Sequence, residues 1–254
     1  MKLETMHFES QGRIGYLTLN RPDILNAMHY QGALDLNRMA EMIRDLPGVR
    51  LVLIRGTGRA FCTGIDLKQL TAGQIPAAYY ELWDRALRIL EQSEKILICA
   101  MHGYSLGGGL QLALACDIRI ATENCILGLP AIKVGIIPGL GTFRLPRYIG
   151  LGRAKWMVLS GENVNGRRAQ EIGLVDHVVQ PETFGDETEA LVKKYASVCS
   201  EGTIQSKMML NMPFDMPHGQ FFEEYLHRQA IALNSSDHQE ALNAYREKRD
   251  PIFS

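Results

Sequence analysis

No apolar stretch of this 254-residue chain is long enough to cross a bilayer. The longest, such as Ile96 to Met101, fall far below the ~20 residues a transmembrane helix needs. Excess charge of either sign is also missing. Lys and Arg total 27 against 28 Asp and Glu, a net charge of −1, so there is no electrostatic footprint for nucleic acid or an anionic membrane. Cysteine is sparse and unpatterned. Its five copies (Cys62, Cys99, Cys116, Cys125, Cys199) are odd in number and show no CxxC spacing, which excludes a disulfide frame or a zinc knuckle. The opening MKLETMHFES carries charge and no apolar core, so it does not read as a secretion signal. These absences predict a soluble, cytoplasmic protein with no nucleic-acid or membrane partner and no metal.

What is present is the pattern of an α/β core. Hydrophobic residues make up 46% of the chain and charged residues 22%, ordinary values for a globular protein. Residues 14–19 alternate and stop at Arg21-Pro22, which predicts a strand. Apolar residues at helical spacing over 28–45 end at Pro47-Gly48, a helix stop. The runs 51–54 and 96–101 suit strands buried on both faces, and 118–121 suits another. Helices are predicted over 76–93 and 109–115. This recurrence of strand and helix predicts parallel crossovers. Beyond Gly150 the spacing predicts helices over 153–160 and 166–172, a strand over 174–179, and then helices at 187–197, 203–210, 220–233 and 238–248. Such a helical tail either covers an apolar face of the core or joins a neighbouring subunit.

Two glycine-rich turns, each following an apolar strand, are the candidate seat of chemistry: GRAFCTGIDL at 58–67 and GYSLGGGLQ at 103–111. Glycine lets backbone N–H groups approach a ligand closely, and a helix N-terminus favours negative charge. Taken singly, either turn is explained by tight strand–helix packing. Two that converge on one oxygen make an oxyanion hole. Residues 103–107 also satisfy GxSxG, the nucleophile elbow of serine hydrolases, with Ser105 as nucleophile and Asp176-His177 or Asp237-His238 as partners. Adjacent Asp and His are poor geometry for a triad. Tyr79, Tyr80, Glu81 and Trp83, at helical spacing after the first turn, read as packing residues.

The two turns and their flanks together carry a more specific pattern. LNRPDILNAM at 19–28, GRAFCTGIDL at 58–67, GYSLGGGLQLALACD at 103–117, LGLPAIKVGIIPGLGTFRLPRYIG at 127–150, EIGLVDHVV at 171–179 and AYREKRDPIF at 244–253 resemble the crotonase (enoyl-CoA hydratase/isomerase) superfamily in order and spacing. The resemblance spans nearly the whole chain. It implies an α/β spiral of ββα units over 1–190, a helical oligomerisation region over 191–254 that builds a homotrimer or hexamer, and an acyl-CoA thioester as substrate. Coenzyme A enters as part of that substrate, and no other cofactor is implied. Carried over by position, the oxyanion amides are those of Ile65 and Gly108. Asp66, Leu67 and Lys68 fall where relatives contact substrate and CoA, and Tyr245 and Lys248 where relatives reach a neighbouring subunit's CoA.

Departures from the pattern redirect the expected chemistry. Hydratases of the family place one glutamate where this chain has Gln111 and another where it has Ala131. An amide does not exchange a proton near neutral pH and a methyl group has none to give. General acid–base catalysis contributes roughly 10²–10⁴-fold, so simple hydration is not the expected reaction. The PGLGT loop is one glycine shorter than the family's PGxGGT, which shifts the wall beside Ala131. The expectation is decarboxylation of a malonyl-type thioester or hydrolytic C–C cleavage of a β-keto thioester, with Gln111 hydrogen-bonded to substrate. A non-catalytic acyl-CoA-binding protein and the GxSxG hydrolase are the alternatives.

Overall fold

The computed structural model describes residues 1–212 and 216–253. The chain opens with an antiparallel hairpin, β1 (Met6–Gln11) and β2 (Ile14–Leu19). Helix α1 (Tyr30–Asp45) then returns it to β3 (Leu51–Gly56), parallel to β2. Two helices, α2 (Leu67–Thr71) and α3 (Ala78–Glu91), lead to β4 (Ile96–Met101), parallel to β3. Strand β5 (Tyr104–Leu106) and helix α4 (Gly108–Leu114) lead to β6 (Ile118–Thr122). The remaining elements are β7 (Ile126–Gly128), α5 (Gly141–Ile149), α6 (Leu151–Ser160), β8 (Val164–Asn165), α7 (Gly166–Glu171), β9 (His177–Val179), α8 (Phe184–Ser197), α9 (Glu201–Leu210), α10 (His218–Leu233) and α11 (Ser236–Glu247).

The main sheet runs β1-β2-β3-β4-β6-β9, and a smaller one runs β5-β7-β8. Each circuit adds a strand to the main sheet and an extended segment to the smaller layer, where Cys62 bridges Ser105 and Met28 bridges Ile65. This is the ββα spiral expected from the resemblance. The apolar runs of β3 and β4 lie mid-sheet and are buried along their length, as strands covered on both faces must be. Helices α1 and α3 pack together over one face, with Leu36, Met39 and Ile43 meeting Leu87 and Leu90 in the core.

Several elements go beyond the sequence reading. Strand β1, the three-residue strands β5 and β7, and α5 were not expected. Conversely, the strand expected over 174–179 shortens to His177–Val179, because Leu174 and Val175 are instead held by hydrogen bonds to Ala169 O at the end of α7.

The C-terminal helices are latched to the core within one chain. Arg13 donates to Phe253 O and Cys199 O, each at 2.6 Å, and Arg50 pairs with buried Asp237. Lys207 Nζ reaches Lys95 O at 2.6 Å and Asp117 at 2.9 Å. Helix α10 buries none of its side chains and leaves Phe222, Leu226 and Leu233 about half exposed. No described helix is long and apolar enough to cross a membrane.

Arg144 on α5 clamps two walls together. Its guanidinium, 3% exposed, reaches Asp84 at 3.0 Å and Glu91 at 3.1 Å on α3. Replacing it leaves two partly buried carboxylates facing each other without a cation. Arg144→Leu is expected to lower stability by about 3 kcal/mol, measured as a shifted urea midpoint. A change below about 0.5 kcal/mol, the range of an ordinary surface substitution, would contradict the clamp.

Candidate active site

The first glycine turn is anchored to the LNRPDILNAM segment by Asn26. This buried residue, at φ 55°, donates from Nδ2 to Thr57 O and Ala60 O, both at 2.9 Å. Its Oδ1 accepts from Arg21 N at 2.7 Å. The motif was visible in the sequence, but this role was not. A short polar residue flanked by apolar ones and able to adopt positive φ is the signal that could have found it.

The second turn is laid alongside the first by main-chain hydrogen bonds. Phe61 N donates to His102 O at 2.9 Å, Cys62 N to Tyr104 O at 3.0 Å and Leu106 N to Cys62 O at 3.0 Å. The approach is close enough that a side chain on Gly109 would begin 2.2 Å from Cys62 O. Gly64 has φ +86°, and a Cβ there would sit 2.6 Å from Gly108 N and 2.8 Å from Leu106 O. Only glycine fits.

This contact brings Gly64, the residue before Ile65, against the Gly108 amide. Met28 N donates to Gly64 O at 2.7 Å and Asp66 N donates to Met28 O at 2.8 Å. In a parallel bridge of this kind the middle residue, Ile65, turns its own N–H to the other side. Gly108 is the first residue of α4, where an N–H has no acceptor within the helix. Among the described residues neither N–H meets an acceptor.

Gln111 lies one turn further along α4 and is 9% exposed. Its Oε1 is 3.0 Å from where a Gly139 side chain would begin. The Gln111 and Leu129 side chains both converge on Gly141. Ala131 follows Leu129 by two residues, on the short 3₁₀ turn Pro130–Val134. Among the described residues the Gln111 amide has no protein partner.

Asp66 is committed locally. Its Oδ1 accepts from Lys68 N at 3.1 Å and Gln69 N at 3.2 Å, capping α2, and Arg21 lies 3.6 Å from its Oδ2. Leu67 and Lys68 are exposed on the first turn of that helix. Tyr245, 85% exposed, and Lys248 lie at the end of α11, which packs on α9 and α10 rather than at the glycine turns of its own chain. The contacts thus bring the turn that carries Gly64 to Lys68 against the start of α4 with Gly108 and Gln111, place Ala131 two residues beyond Leu129, and leave Tyr245 and Lys248 at the end of α11.

Trp83 and Tyr79, on the helix that follows the first turn, pack against each other and against Gly108. Their rings stack with centroids 6.1 Å apart, and the Trp83 edge bearing Cε2 and Cζ2 lies 3.2–3.4 Å from the Cβ position of Gly108. Burial pushes the Tyr79 hydroxyl well above its ordinary pKa, with Cys62 adding to the rise. Burial likewise raises the Cys62 thiol to about 12. Cys62 donates to Asn26 O at 3.2 Å and accepts from Gly64 N at 3.4 Å. It is a structural thiol and not a nucleophile.

The serine-hydrolase arrangement is not formed. Ser105 is fully buried inside β5, and its Oγ has no partner. Asp176 pairs with Arg119 at 2.9 Å, His177 with the Tyr195 hydroxyl at 2.8 Å, and Asp237 with Arg50. Among the described residues no three His, Cys, Asp or Glu side chains are grouped to hold a metal ion.

The sequence model of the enoyl-CoA hydratase/isomerase family matches residues 9–254. YngF of Bacillus subtilis (strain 168) is 38% identical over 93% of this chain and 93% of its own length. The (E)-benzylidenesuccinyl-CoA hydratase of Thauera aromatica is 33% identical over 96% of this chain and 97% of its own. A crystal structure of an enoyl-CoA hydratase from Bacillus anthracis superposes with a TM-score of 0.91 at 28% identity, covering 98% of this chain and 99% of that one. With its spiral core, its paired glycine turns and matches along nearly its full length, the chain belongs to the enoyl-CoA hydratase/isomerase family.

Proposed function

We propose that the protein transforms an acyl-CoA thioester by stabilising its enolate between the N–H groups of Ile65 and Gly108, in a reaction other than simple hydration. The observation that supports this reading is the approach of Gly64 to Gly108 N, next to two amides without an acceptor among the described residues, in a sequence with Gln111 and Ala131 where hydratases of the family have carboxylates. Preorganised donors aimed at a developing negative charge are among the strongest sources of rate enhancement in enzymes. They act equally on enolates that arise without proton abstraction from carbon.

Two such reactions fit. In a malonyl-type thioester the bond to the carboxylate breaks and CO₂ leaves. The electron pair passes to the thioester oxygen, and a proton then adds at the α-carbon. In a β-keto thioester, water adds to the ketone and the Cα–Cβ bond breaks. The electron pair again passes to the thioester oxygen, a carboxylic acid is released, and the proton the hydrate gives up to solvent is matched by one that adds at the α-carbon of the enolate. Gln111 is suited to orienting the leaving carboxylate or the ketone by hydrogen bonding. The hydratase named among the relatives acts on its own substrate and does not decide between these reactions.

The CoA moiety is assigned to Leu67 and Lys68 at the mouth of the site, with Tyr245 and Lys248 supplied by a neighbouring copy. A homotrimer, or a hexamer made of two, would cover the apolar side chains that α10 exposes. No cofactor beyond the coenzyme A of the substrate is invoked.

Purified protein offered malonyl-type, β-keto and enoyl-CoA esters should release CO₂ or a shortened acyl-CoA from one of the first two classes. Robust hydration of the enoyl ester alone would overturn the reading, and binding without turnover would favour a silent acyl-CoA-binding protein. Gly64→Ala should cut turnover by roughly 10²–10³-fold while circular dichroism shows the fold retained; full activity would contradict the paired amides. Gln111→Glu combined with Ala131→Glu should raise crotonyl-CoA hydration by roughly 10²-fold. No rise in a folded double variant would show that the missing carboxylates are not what separates this chain from hydratases.

A further inference from the structure

Gln111 is held against the 139–141 loop without a hydrogen bond. Its carboxamide meets no partner among the described residues, and rotamer preference alone leaves a terminal amide torsion broad. What confines it is steric. The bare backbone of Gly139 lies against the amide, so that a Cβ there would begin 3.0 Å from Oε1 and 3.7 Å from both Cδ and Nε2. Gly141 lies against the stem, its Cβ position 3.3 Å from Gln111 Cγ. The seat itself is tied down. Gly141 N donates to Pro138 O at 3.0 Å, and the Thr142 hydroxyl donates to Gly139 O at 2.9 Å. Further along α5, Arg144 clamps that helix to α3. Gly139 adopts φ +51°, a conformation that glycine takes at no side-chain cost. A methyl group at this position would strain the backbone and also drive into the Gln111 amide.

Resting on the proposed acyl-thioester function, we infer that Gly139 is a positioning residue for that reaction, acting through Gln111. The glycine loop takes the place of hydrogen-bond partners in holding the amide, which leaves its donor and acceptor capacity unspent. An amide already oriented loses less freedom when substrate arrives, and reacting groups held in place react faster. The loop whose length departs from the family's is the one that holds the side chain departing from its glutamate.

The test is a double-mutant cycle on the full chain, with malonyl-CoA and acetoacetyl-CoA as substrates. For the ester that the unsubstituted protein turns over, Gly139→Ala should lower kcat by roughly 10–10²-fold. In a Gln111→Ala background the same change should alter kcat by less than about 2-fold, because the group it acts through is gone. Gly135→Ala is the control for backbone strain. Gly135 precedes the loop at φ +71° with no atom within 4 Å of its Cβ position, and its variant should keep kcat within about 2-fold. A second readout is made on the unsubstituted protein. The Gln111 side-chain amide resonances, assigned by their absence from Gln111→Ala, should show a heteronuclear NOE as high as the backbone of α4. An amide that rotates freely, an unchanged kcat in Gly139→Ala, or an equal loss in both backgrounds overturns the inference and leaves the acyl-thioester reading standing. Turnover of neither ester by the unsubstituted protein overturns that reading and the inference with it.

Discussion

The contact between Gly64 and Gly108 is the constraint from which the site follows. The two turns come from different circuits of the spiral and meet backbone to backbone, with no space for a methyl group on Gly64. That closeness is possible only because Gly64 accepts φ +86° without a side-chain penalty. It is maintained by the main-chain bonds between 61–62 and 102–106 and by the Asn26 amide, which holds the first turn from outside. The Ile65 and Gly108 amides need no side chain to aim them. Their direction is set by a parallel bridge in one case and by a helix start in the other, both rigid elements of the fold.

Much of this was legible in the sequence because it depends on local rules. The apolar runs of β3 and β4 and the helical spacing of α1 and α3 declare themselves through burial. Glycines directly after buried strands marked the two turns, and the order of six segments pointed to the family. What was not legible depends on tertiary contact. Helix α5 carries Pro146 internally and owes its place to buried Arg144, which grips Asp84 and Glu91 across 60 and 53 positions of sequence. Strands β5 and β7 are three residues long and exist because they pair with each other, with β8 and with the extended segment at Cys62.

The proposal of a reaction other than hydration rests on the side chains at positions 111 and 131. Gln111 lies against Gly139 and Gly141, and the carboxylate next to Ile65 in sequence, Asp66, is spent on capping α2 and facing Arg21. Cys62 and Tyr79 are neighbours whose burial keeps them protonated. The site offers hydrogen-bond donors rather than proton carriers, a composition suited to holding charge that the substrate itself releases.

Isotope-edited infrared spectroscopy of a carbonyl-¹³C-labelled acyl-CoA addresses the paired amides most directly. Two N–H donors on one oxygen must weaken the thioester C=O bond, so its stretch should fall to lower wavenumber on binding than in water. A bound ester whose carbonyl stretch stays at its solution value, or rises as in an apolar pocket, would contradict the paired-amide site.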